Sequence, residues 1–282
     1  MTATARILTP DVLALPEGSE LVSTLRACEA SLGEALRLLA AMPDVSWVED
    51  DRGLRFINPR PPPESMVMAT RWPVQLAAYY LDEELARFAS AGVRVDWYLF
   101  GPPSPPDLAD RLVARGLVRE TVRWQFADLG ALPPAPPAPP ELRIVEAATA
   151  DTMADWRRAF ATGFGTEIGA RKYHDAYVSQ PRESARVQVR LHHVAYSGDM
   201  PVACSTMLVV SGLVTLWDIA TDPSYRRRGY AAALVRRQLE AAIERGCRRA
   251  ALNSSALGYS MYVKAGFDTM VLVPELQWAP PG

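Results

Sequence analysis

Ile219-Ala220-Thr221-Asp222-Pro223-Ser224-Tyr225-Arg226-Arg227-Arg228-Gly229-Tyr230-Ala231-Ala232 decides the reading of the chain. An apolar strand runs into a basic, glycine-containing turn, and the turn opens a helix over about residues 231–245, with Leu234, Val235, Gln238, Leu239 and Ala242 on adjacent turns. The first amides of a helix lack intrahelical partners and stand at the positive end of its dipole, so such a turn suits phosphate or pyrophosphate. Gly229 permits close approach of backbone to ligand, and Ala231 and Ala232 leave room above the first turn. Arg226, Arg227 and Arg228 either add charge-assisted contacts or simply face solvent. A solvated basic helix start is the competing reading. A glycine-rich run ending in Lys-Ser or Lys-Thr is missing, as is a three-glycine dinucleotide turn, which disfavours P-loop and Rossmann chemistry.

Working outward, residues 213–221 form the strand that feeds the turn. Residues 202–210 precede it, closed by Ser211-Gly212, and residues 187–196 come before those, ended by Ser197-Gly198-Asp199. The three read as an antiparallel meander. Residues 151–160 read as an amphipathic helix. After the basic turn and its helix, Gly246 is the expected cap, 249–253 a short strand, 260–265 a helix stopped by Gly266, and 270–278 strand material. Helices set between strands of a partly antiparallel sheet make a mixed α/β domain.

The first half is less regular. Residues 19–41 are helical in composition, and Val74, Ala78, Leu81, Leu85 and Phe88 recur at helical spacing before Gly92. Val93, Val95, Trp97 and Leu99 alternate as a strand, and Ser104 with Pro105 is expected to cap a helix over 107–115 that stops at Gly116. The run Leu132-Pro133-Pro134-Ala135-Pro136-Pro137-Ala138-Pro139-Pro140 lacks the amide donors that helix and central strand need, and reads as an extended linker over 132–140. Before it stand 13 basic and 18 acidic residues, a net of −5; after it stand 17 and 14, a net of +3. Two domains, 1–131 and 141–282, are therefore expected, against the plainer reading of a proline-rich excursion within one domain. The halves share an order of helix, strand, loop, helix and Gly-Leu or Gly-Phe, as a duplicated fold would if one copy had lost its active loop.

Composition narrows the function classes. With 282 residues, 49% apolar and 22% charged, the chain should be globular, and a net charge of −2 speaks against a polycation that grips nucleic acid. Cys28, Cys204 and Cys247 make no close pair and no metal-ligand spacing, and His174, His192 and His193 are too few for a histidine-rich site, so no metal is expected. The start of the sequence has no leader-like pattern and no run of eighteen apolar residues occurs, so the expectation is a cytoplasmic protein with no membrane partner.

The basic turn and the residues on its C-terminal side resemble the GNAT superfamily of acyl-coenzyme A-dependent N-acyltransferases. The family signature, Gln or Arg, two residues, Gly, one residue, Gly or Ala, matches Arg226 through Ala231, after strand residues 216–221 and Pro223. A second family feature, asparagine at the end of the next strand and then Tyr-x-x-x-Gly-Phe, matches Asn253 and Tyr262-Val263-Lys264-Ala265-Gly266-Phe267. The resemblance covers residues 141–282. The preceding half is similar to the degenerate N-terminal copy of tandem members, because its corresponding turn lacks the signature.

This resemblance implies an α/β architecture of tandem GNAT-like domains, each a mixed, mostly antiparallel sheet flanked by helices. It implies a V-shaped splay between the strand ending at Thr221 and the strand ending at Asn253, with acetyl-CoA as donor cosubstrate. The amides of Arg228, Gly229, Tyr230 and Ala231 would receive the pyrophosphate, the backbone of Ile219, Ala220 and Thr221 the pantetheine arm, and Asn253 its amide groups from the other side. An amine would attack directly, with the carbonyl polarised near Ala220 and Tyr262 as general acid. Some members carry a glutamate early in the strand leading to the signature, where this sequence has Val214-Thr215-Leu216. Asp218 is the nearest carboxylate, a candidate base or amine-binding group whose other reading is a structural aspartate; Glu167 is a candidate for the amine side. The implied acceptor is a small-molecule amine or a peptide amino group. The alternative is an acyl-coenzyme A-binding regulatory protein whose catalysis is weak or lost. Oligomeric state is not encoded in these motifs.

Overall fold

The computed structural model describes residues 6–8, 11–60 and 64–280. In chain order the elements are β1 (Arg6–Leu8), α1 (Glu20–Leu39), β2 (Ser46–Asp50), β3 (Gly53–Asn58), β4 (Glu64–Met68), α2 (Ala77–Ala91), β5 (Val95–Tyr98), α3 (Leu108–Val113) and β6 (Val118–Asp128). They continue with β7 (Leu142–Glu146), α4 (Ala150–Phe164), α5 (Glu167–Ser179), β8 (Val187–Ser197), β9 (Met200–Val210), β10 (Leu213–Thr221), α6 (Tyr230–Glu244), β11 (Arg249–Asn253), α7 (Tyr259–Lys264) and β12 (Thr269–Trp278). Among the described residues no helix is long and apolar enough to cross a membrane.

Two compact units emerge. One has Trp124–Met270 as its body, and the other combines Leu8–Arg123 with Val271–Gly282. The expected boundaries of 1–131 and 141–282 therefore need revision at both ends, because strand pairing rather than chain order decides membership. The last residues of β6 pair antiparallel with β11, Trp124 opposite Asn253 and Asp128 opposite Arg249. The last residues of β12 pair antiparallel with β5, Glu275 opposite Tyr98 and Trp278 opposite Val95.

In the Leu8–Arg123 unit, β2, β3 and β4 form an antiparallel run, β4 and β5 are parallel, and β12 completes the sheet. Ser19 caps α1 by accepting from the Val22 amide at 3.3 Å, and the buried stripe Val22, Leu25, Leu32, Leu36 and Leu39 is what helical spacing predicts. Trp72, Leu81, Phe88, Trp97, Leu108 and Leu112 build a separate apolar core. Ser104 does not cap the following helix. Its hydroxyl donates to the Trp72 carbonyl at 3.2 Å and its own carbonyl accepts from the Trp72 amide at 2.9 Å, so α3 starts only at Leu108.

In the Trp124–Met270 unit, β7, β8, β9 and β10 are antiparallel neighbours in that order, β10 is parallel to β11, and β6 comes next to β11. Ser211 and Gly212 both take positive φ, 51° and 76°, which lets a two-residue turn join β9 to β10. α4 and α5 cover one face, where Trp156 donates to the Ser205 carbonyl. α6 covers the other, burying Leu234, Val235 and Leu239, each burial worth roughly 1.5–3 kcal/mol.

The proline-rich stretch has neither helix nor strand, yet it is fastened to its own unit. Arg236 donates to the Pro133 carbonyl at 3.0 Å, Leu132 packs on the α6 core, and Pro139 lies against Gly229.

Candidate active site

β10 and β11 share ladder register only from Leu213↔Arg249 to Thr215↔Ala251. Both strands run on, to Thr221 and Asn253, without pairing to each other, so the parallel pair opens into a V. A β-bulge sits at the opening: Trp217 is opposite Thr206 and Ala220 opposite Cys204, leaving Asp218 and Ile219 against one residue of β9. Asp218 takes φ 54°, which frees local backbone from the sheet ladder. Trp217 and Trp124 meet edge to face at 6.0 Å.

Beyond Thr221, Asp222 accepts from the Ser224 amide at 2.8 Å and starts a short 3₁₀ turn, Pro223–Tyr225. Arg227 and Gly229 then adopt φ 63° and 94°. Gly229 occupies the cap position of α6, and no side chain caps that helix, so the amides of its first turn point out unsatisfied by any capping oxygen. A left-handed cap is the place where glycine avoids the strain a Cβ would impose.

The three arginines differ. Arg226 donates through Nε to the Thr221 carbonyl at 3.2 Å and through Nη2 to the Gly163 carbonyl at 3.0 Å, which staples the turn to the ends of β10 and α4. Arg228 lies 5.1 Å from the Tyr225 ring, and Arg227 is exposed. Tyr230 is buried, donates to Glu141 at 2.6 Å and packs edge-on against Tyr225 of the turn at 6.0 Å. Ala231 is half-buried at the helix start, and Asn253 is exposed at the end of β11.

Tyr262 projects from α7 into the α6 core, 8% exposed, with Phe267 edge-on at 6.2 Å. Its ring lies so close over Gly258 that a Cβ there would sit 2.6 Å away. Burial pushes the phenol up to about 12, so it holds its proton across ordinary pH. Asp218 is half-buried and accepts from the Tyr177 hydroxyl at 2.7 Å. Tyr177 itself is pushed well above the usual phenol range, first by burial and then by the Asp218 charge. Glu167 begins α5 and pairs with Arg157 at 2.8 Å. Cys204 is buried, its thiol raised by desolvation and turned to the Asp218 carbonyl, an inert packing position.

Two residues escape sequence reasoning. Tyr177 holds Asp218, and its only sequence signal is the Tyr173-to-Tyr177 spacing along a weakly patterned helix. Gly163 brings α4 onto the end of β10, close enough that a Cβ would stand 2.6 Å from the Ala220 Cβ.

Residues 150–267 match the model of the Acetyltransferase (GNAT) family. No curated protein matches the chain. Among solved structures, a GCN5-related N-acetyltransferase from Kribbella flavida aligns over 94% of this chain and 97% of its own, with 16% identity and a TM-score of 0.62. A tandem GNAT protein from the clavulanic acid biosynthesis pathway aligns over 95% and 98%, with 15% identity and a TM-score of 0.60. A GCN5-related N-acetyltransferase from Sphaerobacter thermophilus aligns over 98% of both chains, with 16% identity and a TM-score of 0.58. The chain thus has a tandem GNAT-like fold, mixed and mostly antiparallel in its strand pairing and flanked by helices.

Proposed function

We propose that this protein is an acetyl-CoA-dependent N-acetyltransferase, with its donor site in the Trp124–Met270 unit and a degenerate first copy in the preceding half. The observation that carries this reading is the opening of β10 from β11 directly beneath an uncapped, glycine-led helix start. The residues present fit the donor. Successive amides from Arg228 to Ala231 suit a pyrophosphate, the backbone of Ile219, Ala220 and Thr221 on the side of β10 that β11 has left would suit the amides of a pantetheine arm, and Asn253, at the end of β11, would approach them from the other side.

When bound, acetyl-CoA supplies an activated acyl carbon. The chain's own part is to hold and orient it, with the Ala220 region polarising the carbonyl and the neutral Tyr262 phenol delivering a proton to the departing sulfur. Asp218, oriented by Tyr177, holds the amine and takes its proton. A small primary amine or a peptide amino group is the acceptor, and the place of work is the cytoplasm. The burial of Tyr262 within an apolar cluster favours the second reading, an acyl-coenzyme A-binding regulatory protein in which that ring only packs.

The test is a panel of amines incubated with acetyl-CoA, reading thiol release above donor hydrolysis, with calorimetric donor binding to Gly229→Asp alongside. Acylated product from the wild type and lost donor binding in the variant are expected. Donor affinity unchanged by Gly229→Asp removes the proposed site, and donor binding without any acylated amine selects the regulatory reading.

A further inference from the structure

The basic turn before α6 has no side-chain cap of its own, and the end of the proline-rich stretch lies against it. Pro139, Pro140, Glu141 and Leu142 form a β-turn, closed by the Leu142 amide donating to the Pro139 carbonyl at 3.0 Å. Proline at the second position presets the φ that such a turn needs. Leu142 then continues into β7, where it pairs with Ser197 of β8. The other end of the stretch is anchored as well, by Arg236 on the Pro133 carbonyl and by Leu132 and Pro133 against Gly266. Glu141 therefore stands in a fixed place, although its side chain is exposed.

The partner of Glu141 is Tyr230, the first residue of α6. Its ring is 1% exposed and sits in an apolar cluster with Ala195, Val202, Ala203 and Leu234, on which Leu142 and Ile144 of β7 also pack. Only the hydroxyl end is polar; it donates to Glu141 Oε1 at 2.6 Å, and the Ser197 side chain bonds it too. Pro139 completes the contact. Its Cγ and Cδ lie 3.5 and 3.6 Å from where a Cβ on Gly229 would stand. The two residues that open α6, Gly229 and Tyr230, thus each touch the segment 139–141.

The turn needs such support. Arg227 and Gly229 both take positive φ, so no helical ladder sets the direction of the amides between them. Amides serve an anion well only when held within about 0.5 Å and 10–20° of the productive geometry. Arg226 fixes the entry to the turn by its bonds to the Thr221 and Gly163 carbonyls. The exit is fixed from outside, by Pro139 and Glu141.

We propose that Glu141 and Tyr230 are positioning residues for the pyrophosphate of the donor, acting through the amides of Gly229 and Tyr230 and joining the proline-rich stretch to the donor site. This inference rests on the donor reading given above. A carboxylate near a phosphate site repels its ligand, so Glu141 contributes by the hydrogen bond it accepts and not by its charge.

Calorimetric titration of the full-length protein with coenzyme A, well below the unfolding transition, separates the bond from the charge. Glu141→Gln loses the charge and keeps an acceptor oxygen for Tyr230, whereas Glu141→Ala loses both. The Kd should be about tenfold higher in Glu141→Ala than in Glu141→Gln, with Glu141→Gln within about threefold of the wild type. Tyr230→Phe should show a similar loss, and the Glu141→Ala, Tyr230→Phe double variant no greater one, because both changes remove the same bond. Glu141 is exposed, so its two variants should share one urea midpoint, which a purely structural role would split without moving the Kd. Equal affinities in Glu141→Gln and Glu141→Ala, or additive losses in the double variant, overturn the proposal and leave the donor site standing. A wild-type protein that binds no coenzyme A overturns the donor reading and this inference with it, so the wild-type titration tells the two failures apart.

Discussion

Helix propensity and packing give opposite answers for Gly163→Ala. In a helix interior, Ala is favoured over Gly by about 0.8–1.0 kcal/mol, so the sequence of α4 alone predicts a more stable protein. In the structure the added methyl would lie 2.6 Å from the Ala220 Cβ and 3.0 Å from the Thr221 nitrogen. Carbon pairs rest at about 3.5–4.0 Å, so α4 or β10 must yield by about 1 Å. Overpacking of that kind costs about 1–3 kcal/mol. Both nearest groups are strand backbone or a Cβ fixed to it, which puts the cost near the upper end. The net expectation is a loss of about 1–2 kcal/mol, or a Tm lower by about 2–8 °C in a unit of this size. The strand end that must move contains Ala220 and Thr221, so affinity for acetyl-CoA should fall with stability. Gly165→Ala is the control: it sits at φ 72° with nothing within 4 Å of the added carbon, and should cost about 1–2 kcal/mol in backbone strain with donor affinity retained. Urea unfolding and calorimetry on the two variants separate the cases. A Gly163→Ala protein at least as stable as the wild type, with unchanged donor affinity, would refute the tight approach of α4 to β10.

His193 is 2% exposed and is held down to about 4, by burial first and then by Arg237. The unfolded chain takes a proton near pH 6.5 while the folded one does not, so stability present above that pH is lost as pH falls towards 4, by up to about 3 kcal/mol. Urea midpoints across that window should show the loss, and His193→Gln should shrink it. Tyr177→Phe removes a hydrogen bond to a half-exposed carboxylate, worth about 1.5 kcal/mol; if Asp218 is the base, the acidic limb of the pH–rate profile should also move to higher pH. A lowered Tm with an unmoved limb assigns Asp218 a structural role only. Tyr262→Phe should lower turnover about a hundredfold with donor affinity retained, and equal turnover at all pH values excludes the phenol as acid.

The elements around the basic turn are legible in the sequence because their signals are local. Ser197-Gly198-Asp199 and Ser211-Gly212 mark the turns of the meander, and Leu234, Val235 and Leu239 mark the buried face of α6 at helical spacing. β6 is not legible. Val118, Arg119, Glu120 and Thr121 are all exposed, and the strand finds its partner, β11, more than a hundred residues further on, a pairing that no local pattern encodes. α5 is hidden because Glu167-Ile168-Gly169-Ala170-Arg171-Lys172 has no clear apolar stripe and carries a glycine in its first turn. Asp218 stands out as a carboxylate in an apolar strand, yet its positive φ and its Tyr177 partner are consequences of the bulge and of the α4–α5 cover. Likewise Arg226 fits the signature, while its use as a staple between Thr221 and Gly163 emerges only once α4 is folded onto β10.

The exchange of terminal strands governs how the protein can be taken apart. A fragment cut at the proline-rich stretch and beginning at Glu141 lacks Trp124–Asp128, so β11 is left as an open edge, and it carries the end of β12 with no β5 to pair with. The complementary fragment has the reverse defect. Each exposes unpaired backbone along a hydrophobic strand, the template for edge-to-edge aggregation. The most visible seam in the sequence is therefore a poor site for truncation, and fragments of this protein belong in complementation experiments where both pieces are made together.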